Sequence, residues 1–402
     1  MKRNSPLIIV VIIIAGFFLI DPFHLFGKPA PSLTRPAVEA ATVSPLVSYA
    51  QANWKTPGDY LVSEFSSRDI VFLGELNKIA ENLELTASLI PTLYAGGIRN
   101  LGIEYALAED QARIDALLGA PVYDEAEARR ITMSWNVLWG YQEYVDLYKA
   151  AWQFNRTLKP GSKPFRIVGL NVRYFYEFFK TEKDADDIAV LEKVLAKGVA
   201  DGFMAGVIQR EFTEKKEKAL VYCAMHHASV RFKDTRYAKN TAEQKVAETR
   251  RTAEIVGQRI GGRAGTVLLH NPWPDEKSMV GFSYPVGGAI DSLIDVLPLD
   301  KKTAGFAVTG TPFASLAVKA GWWAIDHPSL ALGDICDGYI IMGPITGYRA
   351  VTPISGFITE KDADYAIKNF PGPKTPDLSA EQINGYMAEE AASYEKVLRA
   401  IK

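Results

Sequence analysis

Short apolar runs alternate along the chain with stretches whose apolar residues recur every three or four positions. That is the pattern of strands followed by helices in an α/β protein. The central example spans 69–105. Residues 70–73 are an apolar run ending on Gly74 and Glu75. Ile79, Leu83, Leu85, Leu89, Ile90 and Leu93 then keep helical spacing until Gly96 and Gly97, and 101–105 form a second run that carries Glu104. The spacing predicts a β-α-β unit, whose right-handed parallel connection sends both strand tips to the same sheet edge. Ligands of open α/β sheets sit outside that carboxyl edge, so Glu75 and Glu104 are the leading site candidates. The plainer alternative is that each caps the next helix or pairs with a surface lysine.

The same reading extends along the chain. A short helix is predicted over 108–118, ended by Pro121. One or two helices follow over 124–156, rich in aromatics that include Trp135, Trp139, Tyr141, Tyr144, Tyr148 and Trp152. These large rings either wall a pocket under a helical cap or pack that cap down. Further strands are predicted over 165–170, 219–225, 266–269, 305–308 and 337–342, with helices over 188–217, 241–257, 290–296 and 378–401. The predicted architecture is a mostly parallel central sheet with helices on both faces and an inserted aromatic-rich helical cap. The α/β domain is placed at 61–359, with its helical insertion at about 107–160. A polar linker and C-terminal helix follow over 360–402.

The N-terminus changes the picture. Lys2 and Arg3 precede an uncharged, strongly apolar stretch that runs to Ile20. With residues to 23 it approaches membrane-spanning length, and the flanking charge favours an inside N-terminus. Residues 1–23 are therefore expected to be a signal-anchor: a single transmembrane helix in an inner membrane, the lipid bilayer its partner and the body periplasmic or extracellular. A cleaved signal peptide is the rival reading. Residues 24–60, with five prolines among small residues, read as a flexible tether. Formal net charge is −2 and no basic stripe interleaves with aromatics, so no nucleic-acid partner is expected. The two cysteines, Cys223 and Cys336, lie in separate apolar runs and read as core thiols rather than a disulfide framework.

Candidate chemistry gathers at the predicted strand ends. His226 and His227 follow one strand and His270 ends another, so all three would join Glu75 and Glu104 at one edge. A carboxylate beside an imidazole fixes its tautomer and raises its basicity, which suits activation of a water. The same groups offer nitrogen and oxygen ligands to a divalent metal ion, the candidate cofactor, although no zinc signature occurs. Asn171 and Arg173 stand at the tip of the 165–170 strand. No G-x-S-x-G motif supports a serine nucleophile.

The frame LGE-x-N, helix, GIEY, aromatic helices, RIVGLNVR and AMHHA resembles the erythromycin esterase-like branch of the haem-uptake (Tiki) superfamily, over roughly 69–227. The resemblance implies a parallel α/β core with inserted helices, and ester or peptide hydrolysis, metal-dependent in some members; others bind haem. It places Glu75, Glu104 and His226 or His227 at the catalytic positions. The family's usual histidine after the first Gly-Glu is replaced here, where Asn77 and Lys78 stand. The expectation is a membrane-anchored extracytoplasmic hydrolase using activated water on an ester, amide or lactone of a small-molecule or envelope-derived substrate. His226 or His227 would be the base and Arg173 would hold an anionic group. Asn77, Tyr105, Trp135, Trp139, Asn171 and His270 would complete the substrate site. The alternative is a non-catalytic ligand-binding or scaffold protein that keeps the pocket and has lost the base at Asn77.

Overall fold

The computed structural model describes residues 33–181, 183–184, 187–233, 250–274, 281–325, 327–372, 374–375 and 378–402. Among them, β1 (Ile70–Glu75), β2 (Asn100–Leu107), β3 (Arg166–Asn171), β4 (Ala219–Ala224) and β5 (Ala264–Leu269) lie side by side in one sheet. A small antiparallel ribbon follows, β6 (Trp273–Pro274) against β7 (Phe282–Ser283). Then β8 (Thr303–Ala307) and β9 (Gly338–Met342) complete the main sheet, in the order β3-β2-β4-β1-β5-β9-β8. Every neighbouring pair is parallel except β8 with β9. Strands covered on both faces read as unbroken apolar runs, which is why the sequence pattern found them.

Alternation along the strands divides the core into two layers. Val71 and Leu73 of β1, Ile103 and Tyr105 of β2 and Tyr222 of β4 pack into the layer of the aromatic helices Glu125–Trp135 and Gln142–Arg156. Ile70 and Phe72 face the other way, with Val221 and Cys223, under the helices Ala200–Ile208 and Thr252–Ile260. Both cysteines are buried and free.

The structure departs from the predicted elements where local chemistry intervenes. The helix expected over 79–94 is two, Ala80–Ser88 and Ile90–Ala95. Pro91, in the first turn of the second, supplies no N–H to continue the first. The stretch read as a flexible tether contains the helix Ala40–Asn53, whose Leu46 and Ala50 are buried in the layer of the helix Ala289–Val296. His226 and His227 do not extend β4; they sit on one helical turn, Met225–Ala228.

The membrane expectation is corrected. Among the described residues no helix is long and apolar enough to cross a membrane. The 20-residue helix Ala380–Arg399 has the length, but it is amphipathic and studded with glutamates. Residues 1–23, on which the anchor, the single-pass inner-membrane topology, the bilayer partner and the extracytoplasmic body all rested, lie outside the described residues. The membrane-anchored hydrolase is therefore not retained.

Candidate functional site

Glu75 and Glu104 both reach the carboxyl edge, but on opposite faces. Gly74 of β1 and Ile103 of β2 are set by their pairings with Cys223 and Tyr222 of β4. Glu75 is thus one step beyond Glu104 along the sheet, and alternation turns its side chain to the other layer. The edge holds two half-sites, back to back.

The first half belongs to the aromatic layer. Glu75 is fully buried and hydrogen-bonded to the hydroxyls of Tyr105 and Tyr222 and to Asn82 Nδ2 at 3.0 Å. Burial raises its carboxyl to about 8, with the nearby Glu104 adding to the rise and the three hydrogen bonds opposing it. Tyr105 Oη also lies 2.8 Å from Asn77 Oδ1. A phenol has one proton to give. Tyr105 Oη therefore serves Glu75 and the half-buried Asn77 in turn, and protonation of Glu75 would leave the phenol proton to Asn77. Trp135 and Trp139 hold the Tyr105 ring from its edge and its face, at 5.4 and 5.8 Å between centroids. Asn271 Oδ1 fixes the turn beyond β1 by accepting from Leu76 N at 2.9 Å.

Lys78 follows, with φ at +67°, a left-handed conformation unusual for a side chain of this size. Its ammonium is buried 4.5 Å from the Trp139 ring centroid and paired with Glu390 of the helix Ala380–Arg399. Burial lowers its pKa, and Glu390 opposes the shift.

The second half lies in the other layer. Glu104 Oε2 accepts from Ala224 N at 2.8 Å, and its Oε1 lies 3.4 Å from His227 Nε2. The opposite ring nitrogen, Nδ1, is 2.6 Å from Asp201 Oδ1. Burial works against charge on His227, but the two carboxylates Asp201 and Glu104 outweigh it and raise the ring to about 9. Asp201, facing His227 and Arg251, is held well below the usual carboxylate range. The His226 ring lies beside that of His227, tilted by 45° with 3.9 Å between centroids.

The juxtaposition of Glu104 with a histidine, expected from strand order, is present. Glu75, Asn77, Tyr105, Trp135 and Trp139 meet in the first half, whereas three other expected residues have different contacts. Asn171 donates to the main-chain carbonyl of Glu104 at 3.0 Å, so it braces the strand. Arg173 pairs with Glu109 at 3.3 Å. His270 is fully buried elsewhere on the edge, against Tyr339 and Asp291. Asp201, Tyr222, Asn82 and Glu390 were missed. Only the apolar run around Tyr222 marked any of them, and nothing in a linear pattern pairs a carboxylate with a distant base.

The expected metal binding is also corrected. Among the described residues no group of three or more His, Cys, Asp or Glu could hold a metal ion.

No protein-family profile matches the chain, and no curated protein matches it. Solved structures do. A succinoglycan biosynthesis protein aligns over 79% of this chain and 100% of its own, at 10% identity and a TM-score of 0.51. An erythromycin esterase variant in its open conformation aligns over 72% of this chain and 97% of its own, at 12% identity and a TM-score of 0.46. A haem-binding protein of Campylobacter jejuni aligns over 52% of this chain and 85% of its own, at 14% identity and a TM-score of 0.33. Likeness at such identities concerns the fold alone. What this chain shares with the succinoglycan biosynthesis protein is therefore an overall fold, and no family follows from it.

Proposed function

We propose that the carboxyl edge is an acid–base catalytic centre that transfers a proton to and from the carbonyl-type oxygen of a substrate seated at Asn77. The observation that carries this reading is the chain from Glu75 through Tyr105 to Asn77. A carboxyl raised to about 8 keeps its proton at neutral pH and still gives it up readily. It is sealed from water, so Glu75 gives its proton to the phenol oxygen while the Tyr105 hydroxyl, turned from Asn77 Oδ1 to the substrate oxygen, gives up its own. The amide N–H groups of Asn77 polarise the same oxygen as charge develops. His227 is not the base expected from the sequence, because a ring held protonated cannot accept.

The test has two arms. Infrared titration from about pH 5 to about pH 10 should reveal a protonated-carboxyl band that fades around pH 8 and is missing from E75Q. A panel of carbonyl compounds in deuterated solvent, followed for proton exchange and for bond breakage, should be turned over by the wild type and at least about a hundredfold more slowly by E75Q. A fully active E75Q would sink the proposal.

A further inference from the structure

We propose that Asp201 is the positioning residue of this edge, holding the ring of His227 as a two-donor clasp with one N–H on Asp201 and the other on Glu104. The inference rests on the acid–base reading, because it identifies the group that is withheld from proton transfer. Asp201 lies in the first turn of the helix Ala200–Ile208 and is buried. Its Oδ1 accepts from Thr252 N and Thr252 Oγ1, both at 2.7 Å, as well as facing His227 Nδ1 at 2.6 Å. Arg251 Nη1 reaches Oδ2 at 3.2 Å. A carboxylate surrounded by donors stays ionised, so it has no proton to give and Nδ1 must carry one.

The other nitrogen is decided by the same logic. Nε2 faces Glu104 Oε1 at 3.4 Å, and the second oxygen of Glu104 is already taken by Ala224 N. A ring lone pair pointed at a carboxylate oxygen would be repelled, so Nε2 carries a proton as well. Among the described residues, the charged or titratable groups around the ring are Asp201 from its helix, Glu104 from β2, Arg251 behind Asp201, His226 on the same turn, and the buried Cys223 thiol of β4 beside both carboxylates. Opposite charge meets His227 on both sides. The ring is therefore a fixed donor. It secures Glu104 and leaves Glu75 as the group that exchanges protons with substrate.

The test is nitrogen NMR of ¹⁵N-histidine in the full chain, for the wild type, D201N and E104Q. In the wild type both His227 nitrogens should have the shifts of protonated nitrogens throughout neutral pH. D201N keeps the shape and removes the charge, so the ring should lose a proton with an acid constant at least about tenfold larger. E104Q should retain the Nδ1 proton and release the one on Nε2. This second variant keeps the inference testable if D201N does not fold. Turnover by D201N should drop about tenfold at neutral pH and recover on acidification, which a purely structural role would not give. An unprotonated nitrogen in the wild type at neutral pH, or an unmoved titration in both variants, would overturn the role of Asp201. Absence of turnover by the wild type, with the NMR as expected, would overturn only the acid–base reading.

Discussion

At the scale of single residues, the buried acid and the clasped imidazole tie stability to pH in the same direction. Glu75 moves from an ordinary value of 4.5 to about 8 on folding. The native state then binds more protons than the unfolded chain between those values, and its stability falls as pH rises across that interval. His227 moves from 6.5 to about 9. Its contribution is complete below 6.5 and is lost as pH rises through 9, so the two slopes add. The melting temperature should decline steadily from about pH 5 to about pH 9. In E75Q, which keeps the hydrogen-bonding shape and cannot ionise, the first of these slopes should vanish. E75Q should then exceed the wild type near pH 9 by a few kcal/mol, read from urea unfolding at each pH. An E75Q profile parallel to the wild type would mean that Glu75 is ionised in the folded protein.

At the scale of elements, strands and their tips were legible in the sequence, and the directions of side chains at those tips were not. Apolar runs located β1, β2, β4 and β5 to within a few residues, because both faces of the sheet are covered. Whether Glu75 and Glu104 share a face depends on relative register, a one-residue quantity that no periodicity encodes. The histidine turn was hidden for a different reason. Four residues are too few for a helical pattern, and the fold there depends on close approach to Gly74. A Cβ at Gly74 would lie 2.6 Å from Leu268 Cδ2, 2.8 Å from Ala228 Cβ and 3.2 Å from Met225 Cα. The glycine lets the turn carrying His226 and His227 rest directly on β1. Gly74→Ala should cost about 1–3 kcal/mol by denaturant titration. It should also disturb the ring signals of His227, because the turn must lift away from the strand. A G74A protein with wild-type stability and an unchanged histidine spectrum would show that the contact is slack.

At the scale of the whole molecule, residues distant in sequence close the aromatic half of the site. Leu33 and Lys402 exchange main-chain hydrogen bonds with the opposite end of the described chain, Leu33 N to Ala400 O at 3.1 Å and Lys402 N to Leu33 O at 2.8 Å. The helix Ala380–Arg399 lays Ile383 and Met387 into the aromatic core. From the same helix, Glu390 reaches Lys78 and accepts from Tyr141 Oη at 2.7 Å. Burial lowers the pKa of Lys78, and the opposing pull is that of Glu390. Replacing Glu390 by glutamine removes the carboxylate that opposes the burial of this ammonium, a loss that reaches several kcal/mol in a dry interior. Glu390 is partly exposed, and solvent screening reduces the expected loss to about 1–2 kcal/mol at neutral pH. The sign with pH is fixed by the shift. A lysine with a lowered folded pKa destabilises the fold while it must stay charged, and this penalty fades as the solution becomes alkaline. The stability gap between wild type and E390Q should therefore narrow above about pH 9, measured by urea unfolding at several pH values. A gap that is constant across that range would assign Glu390 to packing and to Tyr141, and would leave the charge of Lys78 without influence on how the helix closes the site.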